Sequence, residues 1–453
     1  MTTLVKTNLD FPIESRGDLV DYFARGARPP ERWGIGVEVE KLIVDAETGE
    51  ASSYPRIESL LQRLEATDGW QGLREQGHLI ALMGEDSSIT LEPGGQIELS
   101  GRLCPHVHCC DGDFSRHIAQ IVAAAEPLGL AFLGLGVQPF TPLRHIDWVP
   151  KARYGIMGPY MLKTGDMGQR MMKQTAGVQV NIDFSDEADC IEKLRVAQLL
   201  SPILYALFAN SPLLEGAPSG FLSTRGEIWS RTDAARSGLL PALFDPDAGY
   251  ATYVEYALDV PMYFILRDGH FLNMTTEPFT FRRFLAEGFA GQRPTMEDWD
   301  LHLSTLFPEA RLRPQIEVRC TDSLPPALSM GVAAMIKGIF YDGEALAATG
   351  ALFARLDMAE LSELYRQSWR LGLRTPFAGR TLREAALDVL AHARQGLARQ
   401  GRKNALGQDE TIYLDALTEI ADSGVTLAER LLQNWRGSRQ EKVAALTTHC
   451  GYR

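Results

Sequence analysis

Residues Gly84 to Gly101 read GEDSSITLEPGGQIELSG. Past the Pro93-Gly94-Gly95 break, Gln96 and Glu98 alternate with Ile97 and Leu99, so a strand here turns the polar pair to one face and the apolar pair to the other. Three further segments repeat the pattern. In GIGVEVEKLIVD, Ile35, Val37 and Val39 alternate with Gly36, Glu38 and Glu40; in GVQVNIDF, Val178, Val180 and Ile182 alternate with Gln179, Asn181 and Asp183; in PQIEVRC, Ile316 and Val318 alternate with Glu317 and Arg319. On a shared sheet the polar face would gather Glu38, Glu40, Glu98, Gln179, Asn181, Glu317 and Arg319. Carboxylates packed so closely repel one another, and only Arg319 interleaves them. Divalent cations are the simplest neutralisers, and hard oxygen donors of this kind select Mg²⁺ or Mn²⁺.

The chain has 453 residues, enough for a substantial buried core. Its 45 basic and 58 acidic residues give a net charge of -13 without long runs of one sign. That balance argues against nucleic acid and membranes as partners. No apolar run is long enough to span a bilayer, and the N-terminal MTTLVKTNLD lacks the cationic-then-apolar layout of a signal peptide. A soluble, cytoplasmic protein is expected. Six cysteines, Cys104, Cys109, Cys110, Cys190, Cys320 and Cys450, are thinly spread. The adjacent Cys109-Cys110 pair and the lack of a CxxC motif speak against a disulfide framework or a zinc knuckle. His106 and His108 beside these cysteines raise a metal site as an alternative to helix-start residues, but no second cluster matches it.

In chain order, Ser15 to Arg28 reads as an amphipathic helix capped by Ser15 and stopped by Pro29-Pro30. Further helices are expected over Ile57 to Ala66, Asp113 to Leu128 and Glu187 to Ala209, with a buried strand in LAFLGLGVQP. YALDVPMYFILRDG reads as a strand broken by Pro261 and tipped with Tyr263. Met167, Met171 and Met172 are read as packing. From about Gly331 the composition turns to Ala, Leu, Arg and Glu at helical period. The fold class that follows is α+β, a largely antiparallel curved sheet flanked by helices over 15–330 with a helical layer over 331–453, in one catalytic unit.

Arg225, Trp229, Arg231 and Arg236 share a Ser/Thr/Gly-rich loop or loose helix. Guanidinium groups beside an acidic sheet suit carboxylate or phosphate binding; the alternative is a solvated arginine face. No GxxxxGK[ST], dinucleotide fingerprint, HExxH or GxSxG occurs. What remains is a metal-dependent carboxylate site with arginines around it, which suits phosphoryl transfer.

The segments GVEVEK, TLEPGGQIELSG, PKARYGIM, TAGVQVNIDFS, LFANSPLLEG, FLSTRGEIW, YALDVPMYF, TLFPEARL and IEVR resemble, in this order, the plant and proteobacterial glutamate-cysteine ligases, whose catalytic sheet is of the glutamine synthetase type. The resemblance runs from about residue 15 to beyond residue 430. It implies ATP-dependent joining of the L-glutamate γ-carboxylate to the amine of L-cysteine through a γ-glutamyl phosphate, the first step of glutathione synthesis. It further implies Glu38, Glu40, Glu98, Gln179 and Glu317 as Mg²⁺ ligands, Glu92 at the nucleotide end and Asn181 beside the metal and phosphate. Arg153, Arg225 and Tyr263 would bind glutamate. Arg319 would contact the transferring phosphoryl group, with Glu98 also in a catalytic role. A monomer or weak homodimer is expected. The plant enzymes carry two disulfides for redox control, and the matching stretches here hold no cysteine that aligns; Cys320 is expected on the apolar face. Two alternatives stay open: a ligase of the same family with another amine acceptor, and an inactive regulatory paralogue.

Overall fold

The computed structural model describes residues 9–67 and 69–453; most of the N-terminal stretch read for a leader lies outside them. The four alternating segments do share one sheet. Its strands are β1 (Ile35–Asp45), β2 (Gln71–Glu75), β3 (His78–Met83), β4 (Ser88–Leu91), β5 (Ile97–Ser100), β6 (Leu130–Leu133), β7 (Gly177–Ile182), β8 (Ala310–Leu312) and β9 (Ile316–Asp322). They lie in the order β8-β9-β7-β1-β5-β4-β3-β2, and every pairing is antiparallel. β1 is long enough to serve two neighbourhoods. Its first half pairs with β5 and β7, and its second half, Leu42 to Asp45, pairs with β6.

The period-two pattern decides which face each side chain takes. Ile35, Val37 and Val39 of β1, Leu99 of β5, Val178 and Val180 of β7 and Val318 of β9 are all buried in the main apolar core. The helices Val107–Ala125 and Pro326–Phe340 pack against β1. Burying each such aliphatic side chain contributes about 2 kcal/mol. Lys41 breaks the alternation. It takes an apolar-face position, fully buried, donating to the Val39 carbonyl at 2.6 Å, with its ammonium over the rings of Phe114 and Tyr452. Burial pulls it down to about 7 against the pull of Glu98 and Glu40.

The helices fall close to expectation. Arg16–Ala24 follows Ser15, Tyr54–Glu65 and Glu187–Leu207 flank the sheet, and a run of helices extends from Pro326–Phe340 to Arg439–Cys450. The helix expected from Asp113 begins earlier, at Val107, because the His106 ring accepts the Cys109 amide and caps it. YALD is not a strand. Tyr250, Tyr253, Val254, Ala257 and Leu258 bury one face of the helix Tyr250–Asp259, and only past Pro261 does a small hairpin pair Phe264–Arg267 with His270–Asn273.

The reading against disulfides is corrected at one pair. Cys104 and Cys109 are bonded, with Cα atoms 5.8 Å apart across the helix start, within the usual span of a disulfide. Cys110, Cys190, Cys320 and Cys450 are free and buried. His106 caps the helix and His108 meets the Tyr413 hydroxyl at 2.9 Å, so the cysteine-histidine cluster is accounted for by local structure. A smaller apolar cluster ties Leu42, Val44 and Leu133 to Leu431, Trp435, Leu446 and Cys450. There the chain's last turns close over β6: the Gly134 amide donates to the Cys450 carbonyl at 2.8 Å, and the Tyr452 amide to that of Phe132 at 3.0 Å.

Candidate active site

The register sets the polar face out in rows. Glu317 stands opposite Asn181, which stands opposite Gly36; Gln179 faces Glu38, which faces Ser100; Glu40 faces Glu98, which faces Thr90. The turn before β5 adds Glu92. That turn needs its glycines: Gly95 has φ +86°, and a Cβ on Gly94 would come within 2.2 Å of the Lys173 carbonyl oxygen.

A cleft of about 140 Å³ opens above these rows, and Glu38, Glu40, Glu92, Glu98, Gln179, Arg153 and Arg319 all line it. Glu40 accepts the Gly177 amide at 2.6 Å and the Gln179 amide group at 2.8 Å. Glu98 accepts the hydroxyls of Ser100 at 2.8 Å and Thr90 at 3.1 Å, and Glu38 accepts the Asn181 side-chain amide at 3.0 Å. Burial, followed by repulsion from Glu92 and Glu98, pushes the Glu40 carboxyl up to about 8. Burial and Glu98 raise Glu92 in the same sense, with Lys151 and Arg153 opposing. The centre of the cleft is therefore short of positive charge.

The cations stand at its edges. Arg153 lines the cleft with its Nε buried and without a hydrogen-bond partner. Arg319 sits at the bulge of β9 between Val318 and Thr321 and donates to Gln179 Oε1 at 2.7 Å and to Glu317. Glu317 is the most heavily engaged of the carboxylates. Its Oε2 accepts Arg311 Nε at 3.0 Å and Nη2 at 2.6 Å. Although burial works the other way, Arg311 and Arg319 hold its carboxyl well below the usual range.

The remaining expected residues sit one layer away. Asn181 and Glu317 lie behind the cleft wall. Arg225, in the first turn of the helix Thr224–Ser230, donates from Nη2 to the Arg319 carbonyl at 3.0 Å; its Nε and Nη1 are buried and unpartnered. It lines a small adjoining cavity with Trp229, Glu309 and Arg319. Glu309 in turn accepts the hydroxyls of Tyr205, at 3.1 Å, and Tyr365. Tyr263 does not line the cleft. Its ring stacks on the buried Arg236 guanidinium at 4.0 Å, and its hydroxyl points to Met161 Sδ at 3.9 Å.

Arg311, Arg313 and Trp229 also line the cleft, and the sequence reading assigned none of them. Arg311 had a legible signal, since it alternates with Ala310 and Leu312 and so shares the face of Glu317. Arg313 had none. It reaches the cleft through a tertiary pairing with Asp300 at 2.7 Å, and Asp300 also accepts the Tyr22 hydroxyl at 2.5 Å.

Comparison with known proteins gives the family. The model of glutamate-cysteine ligase family 2 matches residues 34–449. The chloroplastic glutamate-cysteine ligase of Brassica juncea is 42% identical over 432 residues, 95% of this chain and 82% of that one. Those of Medicago truncatula and Arabidopsis thaliana are 40% and 41% identical, again over 95% of this chain, and 84% and 81% of theirs. A glutamate-cysteine ligase of Francisella tularensis, solved in complex with AMP, has the same fold with a TM-score of 0.53 at 12% identity, covering 92% of this chain and 87% of that one. The plant relatives are plastid enzymes, and this overturns the cytoplasmic expectation drawn from the N-terminal sequence. With the family match spanning nearly the whole chain, this protein belongs to glutamate-cysteine ligase family 2.

Proposed function

We propose that the cleft joins the γ-carboxylate of L-glutamate to the amine of L-cysteine at the expense of ATP. The observation that carries this reading is the trio of buried Glu40 and Glu98 with half-buried Glu92, mutually repelling, with Arg153 and Arg319 at the rim. Such a donor set fits hard divalent cations. Glu38, Glu40, Glu98 and Gln179 are the residues to hold them, with Glu92 on the nucleotide side. Mg²⁺ bound there would neutralise the carboxylates and the triphosphate.

In the first step an oxygen of the glutamate γ-carboxylate attacks the terminal phosphorus of ATP, and ADP leaves. In the second the cysteine nitrogen attacks the acyl carbon, its proton is lost, and phosphate leaves. Arg319, fixed by Glu317 and Gln179, presents its guanidinium to the transferring phosphoryl oxygens; Arg153 and Arg225 have unmet donors for substrate carboxylates. Glu317 acts in this geometry as the anchor of two arginines, and its service as a metal ligand would require Arg311 to let go.

The test is ADP release by the purified chain. ADP should appear only when Mg²⁺ or Mn²⁺, L-glutamate and L-cysteine are all present, with γ-glutamylcysteine in equal amount. ADP release that ignores cysteine and responds to another amine would remove the acceptor assignment.

A further inference from the structure

The helix Gly168–Gln174 serves two cavities. Met171 and Met172 line the cleft, while Gln169, Arg170 and Lys173 line a separate groove of about 310 Å³ with Arg144 and Glu215. Lys173 is 6% exposed. Among the described residues its ammonium makes no hydrogen bond or ion pair; it lies 4.9 Å from the centre of the Trp148 ring. An ammonium carries three donors, and none of the three finds a protein acceptor among the described residues. Arg144, at the exposed mouth, likewise has no hydrogen bond or ion pair among the described residues. Arg170 is satisfied by Gln174 at 2.9 Å and by Glu215 at 2.8 Å. Asp147, which accepts the Tyr54 amide at 3.0 Å, is the nearby carboxylate whose charge favours the ammonium against the effect of burial.

We propose that this groove is an anion site distinct from the cleft, taking a phosphate or carboxylate group between Arg144 and Lys173 in competition with the Glu215 side chain. The chain carries a net charge of -13, so three cations converging on one cavity run against the overall balance. Glu215 already shows the chemistry the groove accepts, since its carboxylate rests on Arg170. The site also adjoins the cleft mechanically. Gln96, on the cleft wall, donates its amide to the carbonyls of Met172 at 3.3 Å and Thr175 at 2.7 Å, either side of Lys173. An anion drawing Lys173 off the Trp148 ring would therefore act on the backbone that Gln96 holds.

Isothermal titration and thermal melting of the full chain with sodium phosphate, against sodium chloride at matched ionic strength, test this directly. Phosphate should bind and raise the melting temperature where chloride does not. Lys173→Met and the exposed Arg144→Ser should each weaken that binding at least tenfold, and Glu215→Gln should tighten it several-fold by removing the competitor. An ADP arm separates the sources: ADP that displaces phosphate from wild type but not from Arg144→Ser marks a nucleotide phosphate as occupant, whereas phosphate binding indifferent to ADP marks a free anion. Phosphate binding that survives both groove variants would overturn the proposal. A Glu215→Gln variant that binds phosphate more weakly would do so too.

Discussion

Two arginines are linked through the Arg319 carbonyl, and the proposed function gives each a different task. Arg319 sits two residues from Glu317 on the same strand face and lines the cleft. Arg225 reaches that neighbourhood from a helix and keeps two donors unmet. Arg319→Lys keeps the charge and loses the planar fork, so it should lower kcat on the order of 10³-fold with little change in the KM for glutamate. Arg225→Lys should chiefly raise that KM, because it removes binding shared by ground and transition states. Steady-state kinetics of the pair decide it, and the reverse pattern would exchange the two roles. At this scale the sequence was legible where alternation fixed the face: Glu38, Glu40, Glu98, Gln179 and Arg319 all reached one cleft. Tyr263 was not, because its segment is a helix followed by a turn, and period-two reasoning has no hold there.

The strands are not interchangeable carriers of acid. Glu40 on β1 is surrounded by like charge, while Glu317 on β9 is clamped by Arg311 and Arg319. Glu40→Gln should therefore leave the metal-free protein as stable as wild type or more so, since it relieves repulsion. Glu317→Gln should destabilise it by about 3 kcal/mol, because Arg311 is left buried with half a partner. Urea unfolding in EDTA compares them, and equal losses from both would contradict the division drawn here. The four strands and most helices could be read from alternation and helical period. The β9 bulge and the order of the strands could not, since pairing across the sheet depends on contacts far apart in sequence.

For the whole molecule, the crowded carboxylates make stability a function of pH, and the proposed metal would add to it. An unfolded glutamate loses its proton near 4.5, whereas buried Glu40 keeps it to about 8. Between those values the folded state binds more protons than the unfolded one, so stability must fall as pH rises through that window. Metal-free protein should accordingly melt lower at pH 8 than at pH 6, and millimolar Mg²⁺ should restore more of the loss at pH 8. A melting temperature flat across that range in EDTA would show that the carboxylates are already neutralised by the chain. The helical layer from Pro326 onward was visible as a change of composition. Its reach into the site was not, because Tyr365 meets Glu309 across 56 residues of sequence.

The closing contacts over β6 set an order of events during synthesis. β1 carries Glu38 and Glu40 in its first half, and its second half is covered by β6 and by Leu431, Trp435, Leu446 and Cys450. A ribosome that has made every residue of the cleft still holds a strand whose far end is paired with β6 but lacks the rest of its cover, the apolar side chains from Leu431 to Cys450. Stalled chains ending at residue 438 should thus remain open to protease at β1 and make no γ-glutamylcysteine, while chains stalled with residue 452 clear of the exit tunnel should gain protection and activity together. The first strand of the site is in this sense the last to be finished.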